Sequence, residues 1–117
     1  EALKDQRILI CGAGSAGMGV AHMILDGMVR QGLKPEEAAT RFVIVDKDGP
    51  LHKSRISQMN PQQVVFARED IGADLSLVDT VAHFKPTILM GLSAVGGIFT
   101  KEVVEEMAKH TEKPFIF

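Results

Sequence analysis

The run from Cys11 to Gly19, CGAGSAGMG, constrains what this chain can fold into more than any other stretch. Gly12, Gly14 and Gly17 stand at G-x-G-x-x-G spacing, directly after the apolar run Arg7 to Cys11 (RILIC) and directly before a helical pattern. Each glycine has its own physical use. The first lets the chain turn off a strand, the second lets backbone approach a pyrophosphate, and the third lets the following helix pack on the sheet. An anion placed there meets a helix N-terminus, where unpaired N–H groups and the positive end of the helix dipole receive it without a basic side chain. The spacing alone is a weak signal. A strand before it, a helix after it and an acid closing a second strand make it strong, and all three are present.

The rest of the chain reads as alternating strands and helices. Arg7 to Cys11 has the unbroken apolar character of a strand covered on both faces, the central one of a parallel sheet. From Ser15 to about Gln31 the pattern is helical: Ala16, Val20, Ile24 and Met28 recur at i+4, flanked by Ala21 and Leu25, with His22, Asp26 and Arg30 on the other face. Gly32 caps this helix, and Pro35, with Glu36 and Glu37, opens a short one that ends near Thr40. Phe42 to Val45 (FVIV) is a second buried strand, ended by Asp46 and by a turn at Asp48, Gly49 and Pro50. Residues 51–70 lack clear periodicity, and Val64 to Ala67 are expected to form a short edge strand of either direction.

Beyond residue 70 the alternation resumes. Ser76 with Asp79 resembles a capping box, and Leu75, Val78, Val81 and Ala82 mark an apolar face that runs to Phe84 before Pro86 halts the helix. Thr87 to Leu92 (TILMGL) is the next strand. After a loop from Ser93 to Phe99, Thr100 caps a helix with Val103, Val104, Met107 and Ala108 facing inward, and Phe115 to Phe117 begins a last strand. The fold class expected is α/β, a doubly wound, mostly parallel sheet forming a Rossmann-like NAD(P)-binding domain over residues 1–117. Both ends fall abruptly against strands, so the domain is expected to be truncated at both ends.

Composition narrows the function classes. A chain of 117 residues fits one domain, and 13 basic against 15 acidic residues, mixed along the sequence, leave a net charge of -2. That balance gives no footprint for nucleic acid or an anionic membrane. The single cysteine, Cys11, has no internal partner for a disulfide, and no stretch approaches the ~18 apolar residues of a membrane span. A soluble protein of a reducing compartment is expected, cytoplasmic or mitochondrial matrix.

In doubly wound sheets ligands bind outside the carboxyl ends of the strands. Three segments fall at that edge: Gly12 to Gly17, Asp46 to Asp48, and Ser93 to Gly97 (SAVGG). Asp46 follows the glycines by more than the usual ~20 residues, an excess the extra helix at Pro35 explains. Its carboxylate is placed either to accept from the adenosine ribose hydroxyls or simply to form a turn. The other reactive side chains read as structural. His22, His52, His83 and His110 are scattered over separate elements without acids or cysteines at ligand spacing, so no protein-held metal is expected in this chain. Cys11 reads as a small buried hydrophobe, and Met18, Met23, Met28 and Met107 as core filler. Glu36 with Glu37, and Glu105 with Glu106, are solvated helix neighbours.

The strings GAGSAGMGVAHMI, GLKPEEA, VDKDG, KPTILMGLSAVGGIFT and EEMAKHTEKPFIF together resemble the dinucleotide-binding domain of malic enzymes over essentially the whole chain. GGIFT before a helix and H-T-E-K-P are far more specific than the glycine spacing. The resemblance implies oxidative decarboxylation of malate to pyruvate and carbon dioxide, with NAD or NADP reduced and Mg or Mn required, by a larger homo-oligomeric enzyme. Gly12, Gly14, Ser15, Ala16 and Gly17 match the family's phosphate-binding turn, Asp46 its ribose acid, and Ser93, Ala94 and Val95 its loop on the nicotinamide side. The family's tyrosine and lysine acid–base pair and its carboxylate metal ligands belong to motifs upstream of Glu1, and its Ser-Asn-Pro segment would follow Phe117. No catalytic or metal-binding residue is therefore expected within this chain, which contains no tyrosine.

NAD is expected in preference to NADP. Asp46 would accept from a 2′-hydroxyl and repel a 2′-phosphate, and Asp48 adds a second charge. Lys47 argues the other way, as do Lys53 and Arg55. Counting back three residues from Phe66, Gln63 falls where NADP-preferring members of the family tend to carry lysine, and it is a neutral amide here. Two alternatives stay open: a malolactic enzyme, which converts malate to lactate with the same domain, and a dinucleotide-sensing module without chemistry.

Overall fold

Strand β1 (Ile8–Cys11) runs through the middle of a sheet with five strands among the described residues, with β2 (Phe42–Asp46) on one side and β4 (Ile88–Gly91) on the other. The computed structural model describes residues 3–46, 49–72, 74–92, 101–110 and 115–116, with backbone alone at 110 and 115. The sheet order is β3-β2-β1-β4-β5, with β3 at Gly49–Pro50 and β5 at Phe115–Ile116. All neighbours pair in parallel except β2 with β3. Register is set through β1, where Ile8 stands opposite both Phe42 and Ile88, and Cys11 opposite both Val45 and Gly91.

All four β1 residues are buried, because the sheet is covered on both faces. Side chains alternate across a strand, so Ile8 and Ile10 join Met18, Ala21, Met28 and Phe42 on one face, while Leu9 and Cys11 join Val81, Phe84, Val103 and Met107 on the other. Helices α1 (Ser15–Arg30) and α2 (Pro35–Ala39) supply the first layer, and α4 (Leu77–Phe84) and α5 (Lys101–His110) the second. This is the doubly wound α/β plan. Full burial of each of the three aliphatic side chains of β1 contributes about 1.5–3 kcal/mol, which makes this strand the anchor of both layers.

Local chemistry sets the ends of the helices. α1 stops at a Schellman motif: Gly32 N–H donates to the Val29 carbonyl at 3.0 Å and Leu33 N–H to that of Met28 at 3.2 Å, with Gly32 at φ +108°. In α2, Pro35 occupies the first turn, as the sequence leads one to expect. Ser76 caps α4 by accepting from Asp79 N–H at 3.1 Å, and the helix closes at Lys85, which adopts the left-handed conformation just before Pro86.

Several sequence expectations give way. The buried stripe of α1 is Gly17, Met18, Ala21, Leu25 and Met28, leaving Ala16 exposed, Val20 and Ile24 half-buried and Met23 67% exposed. The close approach of Gly17 to β1 decides which side of the helix faces the sheet, turning the stripe by one position, and Met23 is not core filler. Val64 to Ala67 are not a strand. A capping box, with Asn60 accepting Gln63 N–H at 2.9 Å and Gln63 accepting Asn60 N–H at 3.1 Å, starts helix α3 (Pro61–Val64) instead, with Pro61 in its first turn. Only Arg68 bridges, in parallel, to His52. Gly49 and Pro50 fold back as an edge strand, where a missing N–H is tolerated. In α5, Val103 and Met107 are buried but Val104 and Ala108 are exposed, since a single i, i+4 row of this helix reaches the sheet. Asp48, the loop from Ser93 to Phe99, Thr100 and Phe117 lie outside the described residues. Among the described residues no helix is long and apolar enough to cross a membrane.

Candidate functional site

From β1 the chain winds to one side into β2 and later to the other into β4 and β5, so the winding reverses between β1 and β4. Crevices at such reversals, at the carboxyl ends of the strands, are where doubly wound folds take ligands. Two backbone bonds draw those ends together: Gly12 N–H donates to the Val45 carbonyl and Leu92 N–H to the Cys11 carbonyl, both at 2.8 Å.

The three glycines play separable parts. Gly12 sits at φ +129°, where side chains are strained, and turns the chain out of β1. A Cβ on Gly17 would collide with the backbone carbonyl of Gly12, so helix and strand meet there at a distance only glycine permits. Gly14 is different. Its φ of −79° and ψ of −169° suit any residue, and a Cβ on it would meet no atom of the described residues within 4 Å. Nothing among the described residues requires glycine at 14, while a ligand lying against this backbone would.

Donors converge on the same place. Gly14 is the N-cap of α1 without a side-chain cap, and Met18 N–H donates to its carbonyl at 2.9 Å, leaving the amides of Ser15, Ala16 and Gly17 without acceptors inside the helix. Gly14, Ser15 and Ala16 are exposed. This open backbone, led by amides and the positive end of a helix of 16 residues, fits a phosphate group.

Asp46 closes β2 at the same edge, directly after Val45, whose carbonyl accepts from Gly12 N–H. Its carboxylate is held by Arg55, whose Nη1 lies 3.0 Å from Oδ2 and 3.3 Å from Oδ1. Arg55 Nη2 donates to the carbonyls of Pro50, at 2.6 Å, and Gly49, at 3.3 Å, so the hairpin of β2 and β3 fixes the guanidinium. Arg55 Nε is buried without a partner among the described residues. Sequence reasoning named Arg55 only as a nearby cation. The signal available was an arginine within ten residues of the acid.

Gln63 also reaches the loop. Its Nε2 donates to the Ala13 carbonyl at 2.9 Å while its Oε1 accepts from Asn60 N–H, so both ends of the amide are engaged. Helix α3 is held to α1 as well, by His22, whose Nε2 is 3.1 Å from the Gln62 carbonyl oxygen and whose ring meets Phe66 edge-on at 5.0 Å. The structure thus brings Gly12, Gly14, Ser15, Ala16, Gly17, Asp46 and Gln63 to one edge. Lys47, Ser93, Ala94 and Val95 lie outside the described residues.

Cys11 adds no nucleophile. Burial pushes its thiol up to about 12, so it stays protonated at neutral pH. Among the described residues no three His, Cys, Asp or Glu side chains are grouped to hold a metal ion. A separate open depression of about 490 Å³, lined by Lys53, Phe66, Arg68 and Asp70 among others, includes none of the glycine-loop residues.

Comparison with known proteins bears on this geometry. The family described as "Malic enzyme, NAD binding domain" matches residues 1–117. The NADP-dependent malic enzyme of Dictyostelium discoideum is 44% identical over 116 residues, 98% of this chain and 21% of that protein. The mitochondrial NAD-dependent malic enzyme of Saccharomyces cerevisiae is 44% identical over 119 residues, 98% of this chain and 18% of that protein. The malolactic enzyme of Lactiplantibacillus plantarum is 43% identical over 122 residues, the whole of this chain and 22% of that protein. The chain spans about a fifth of the length of these relatives.

Proposed function

This chain belongs to the malic enzyme NAD-binding-domain family, and on that premise we propose that it is the dinucleotide-binding part of an enzyme that oxidatively decarboxylates malate to pyruvate and carbon dioxide. Residues 1–117 form its cofactor domain, and NAD is taken in preference to NADP. The observation that carries the reading is Gly14, a glycine whose backbone angles and surroundings demand no glycine, at the uncapped start of α1.

In this assignment the amides of Gly14, Ser15, Ala16 and Gly17 receive the pyrophosphate, and Gly12 shapes the turn. Asp46 accepts from the adenosine ribose, and the resemblance to the family assigns Lys47 to the same end and Ser93, Ala94 and Val95 to the nicotinamide side. The bound dinucleotide supplies the hydride acceptor for malate oxidation. The residues of this chain bind and orient it. Acid, base and divalent metal ligands come from other parts of a homo-oligomeric enzyme.

Malate-dependent NADH formation is the test. The complete enzyme carrying this chain is expected to form NADH from malate with Mn present, and the 117-residue chain alone is expected to form none above a blank. Activity of the isolated chain, or inactivity of the complete protein, overturns the assignment. The malolactic relative favours a second reading, in which malate is converted to lactate. Product analysis separates the two, pyruvate supporting the first and lactate the second.

A further inference from the structure

Gln63 touches the glycine loop at a carbonyl, and the peptide group it touches has another end. The carbonyl of Ala13 and the amide of Gly14 belong to one planar trans unit, so they point in opposite directions and fixing one aims the other. A donor on the carbonyl also polarises the unit and strengthens its N–H as a donor. The Gln63 amide is well placed to do this. Its Nε2 donates to the Ala13 carbonyl at 2.9 Å, its Oε1 is occupied by Asn60 N–H at 3.1 Å, and Asn60 Oδ1 in turn accepts Gln63 N–H at 2.9 Å. The helix that carries it is pinned to α1 through His22 and Phe66. Ala13 is 8% exposed whereas Gly14 is open, so the carbonyl is turned into the protein at the residue before the open backbone.

We propose that Gln63 is a positioning residue for the dinucleotide, acting not by its own contact with the cofactor but through the Ala13–Gly14 peptide, whose N–H it turns toward the pyrophosphate. The proposal rests on the reading of Gly12 to Gly17 as the phosphate turn. It makes donor capacity toward Ala13 the property that matters at position 63. A lysine keeps a donor there and adds a charge, which bears on a 2′-phosphate. A methionine or a glutamate loses the donor.

The test uses the complete enzyme carrying this chain, with Gln63→Met, Gln63→Glu and Gln63→Lys. Glutamate keeps the acceptor for Asn60 N–H, so α3 retains its cap in that variant. In Gln63→Met and Gln63→Glu the KM for NAD is expected to rise about fivefold to tenfold with kcat changed less than about twofold, the scale of one neutral hydrogen bond. Gln63→Lys is expected to leave the KM for NAD near the parent value and to lower that for NADP. ADP-ribose, which carries the pyrophosphate, should weaken as an inhibitor in the methionine and glutamate variants, while adenosine, which carries none, should not. Unchanged NAD kinetics in both variants, or equal weakening of both inhibitors, overturns the role of Gln63. Failure of ADP-ribose to compete with NAD in the parent enzyme instead overturns the phosphate-turn reading beneath it.

Discussion

Arg55 grips Asp46 at the carboxyl end of β2, with Nη1 3.0 Å from one carboxylate oxygen and 3.3 Å from the other. The side chains are only 20% and 26% exposed, so the pair is weakly screened by solvent. If Asp46 faces the adenosine ribose as proposed, its carboxylate would repel a 2′-phosphate, and the guanidinium against it would reduce that repulsion. The arginine is itself committed to Asp46 and to two carbonyls, so on the proposed assignment it is not free to pair with a 2′-phosphate.

Replacing Arg55 with methionine is therefore expected to sharpen the preference for NAD. Asp46 loses its counter-charge, and KM for NADP should rise about tenfold more than KM for NAD, roughly 1.4 kcal/mol of discrimination. The same change leaves a partly buried carboxylate without its cation and should lower stability by about 2 kcal/mol. Steady-state kinetics with both dinucleotides and a urea titration check the two effects. Equal changes in the two KM values would remove Arg55 from the specificity argument.

Two glycines of the loop are expected to respond in opposite ways. Gly17→Ala places a methyl group into the Gly12 carbonyl and should destabilise the fold by about 3 kcal/mol or more, an overpacking that backbone shifts relieve only in part. Gly14→Ala finds open space and ordinary backbone angles, so stability should stay within about 1 kcal/mol while NAD affinity falls about tenfold or more. Thermal unfolding with calorimetric titration separates them. Undiminished NAD binding by Gly14→Ala would mean that no ligand lies against that backbone.

These glycines mark how far the sequence could be read. The parallel strands β1, β2 and β4 and the glycine loop follow from motif and apolar runs, because a strand buried on both faces must be apolar throughout, as Ile8 to Cys11 are. The face of α1 could not be read so finely, since its rotation is set by the contact of Gly17 with Gly12, which periodicity does not carry. Helix α3 was hidden because four residues hold no period, although Asn60, Pro61 and Gln63 spell its cap. The ties of Gln63 to Ala13 and Arg55 to Asp46 depend on tertiary approach, and only the presence of the partners was legible.

Asp70, in the depression apart from the glycine loop, provides a pH-dependent contribution. Hydrogen bonds from Arg68, 2.8 Å and 2.7 Å long, hold its carboxyl below the ordinary value of 3.8. A carboxyl depressed by folding stabilises the native state above its unfolded value and loses that effect as pH falls through the lower folded value. Stability should therefore decline below about pH 4 in the parent, and Asp70→Asn should make that acid arm shallower without altering NAD binding at neutral pH. Denaturant titrations from pH 2 to pH 7 read this directly. Identical acid arms would show that the Arg68–Asp70 bond carries no pH dependence.

The central claim is that the dinucleotide lies on the open backbone at the start of α1. It is tested most directly by following the backbone amide resonances of the ¹⁵N-labelled chain as NAD is added. Shifts concentrated at Gly12, Gly14, Ser15, Ala16, Gly17 and Asp46, with little change at Lys53, Arg68 and Asp70, are the expected result. Shifts centred on the depression around Phe66 and Arg68, with the glycine loop unmoved, would contradict it.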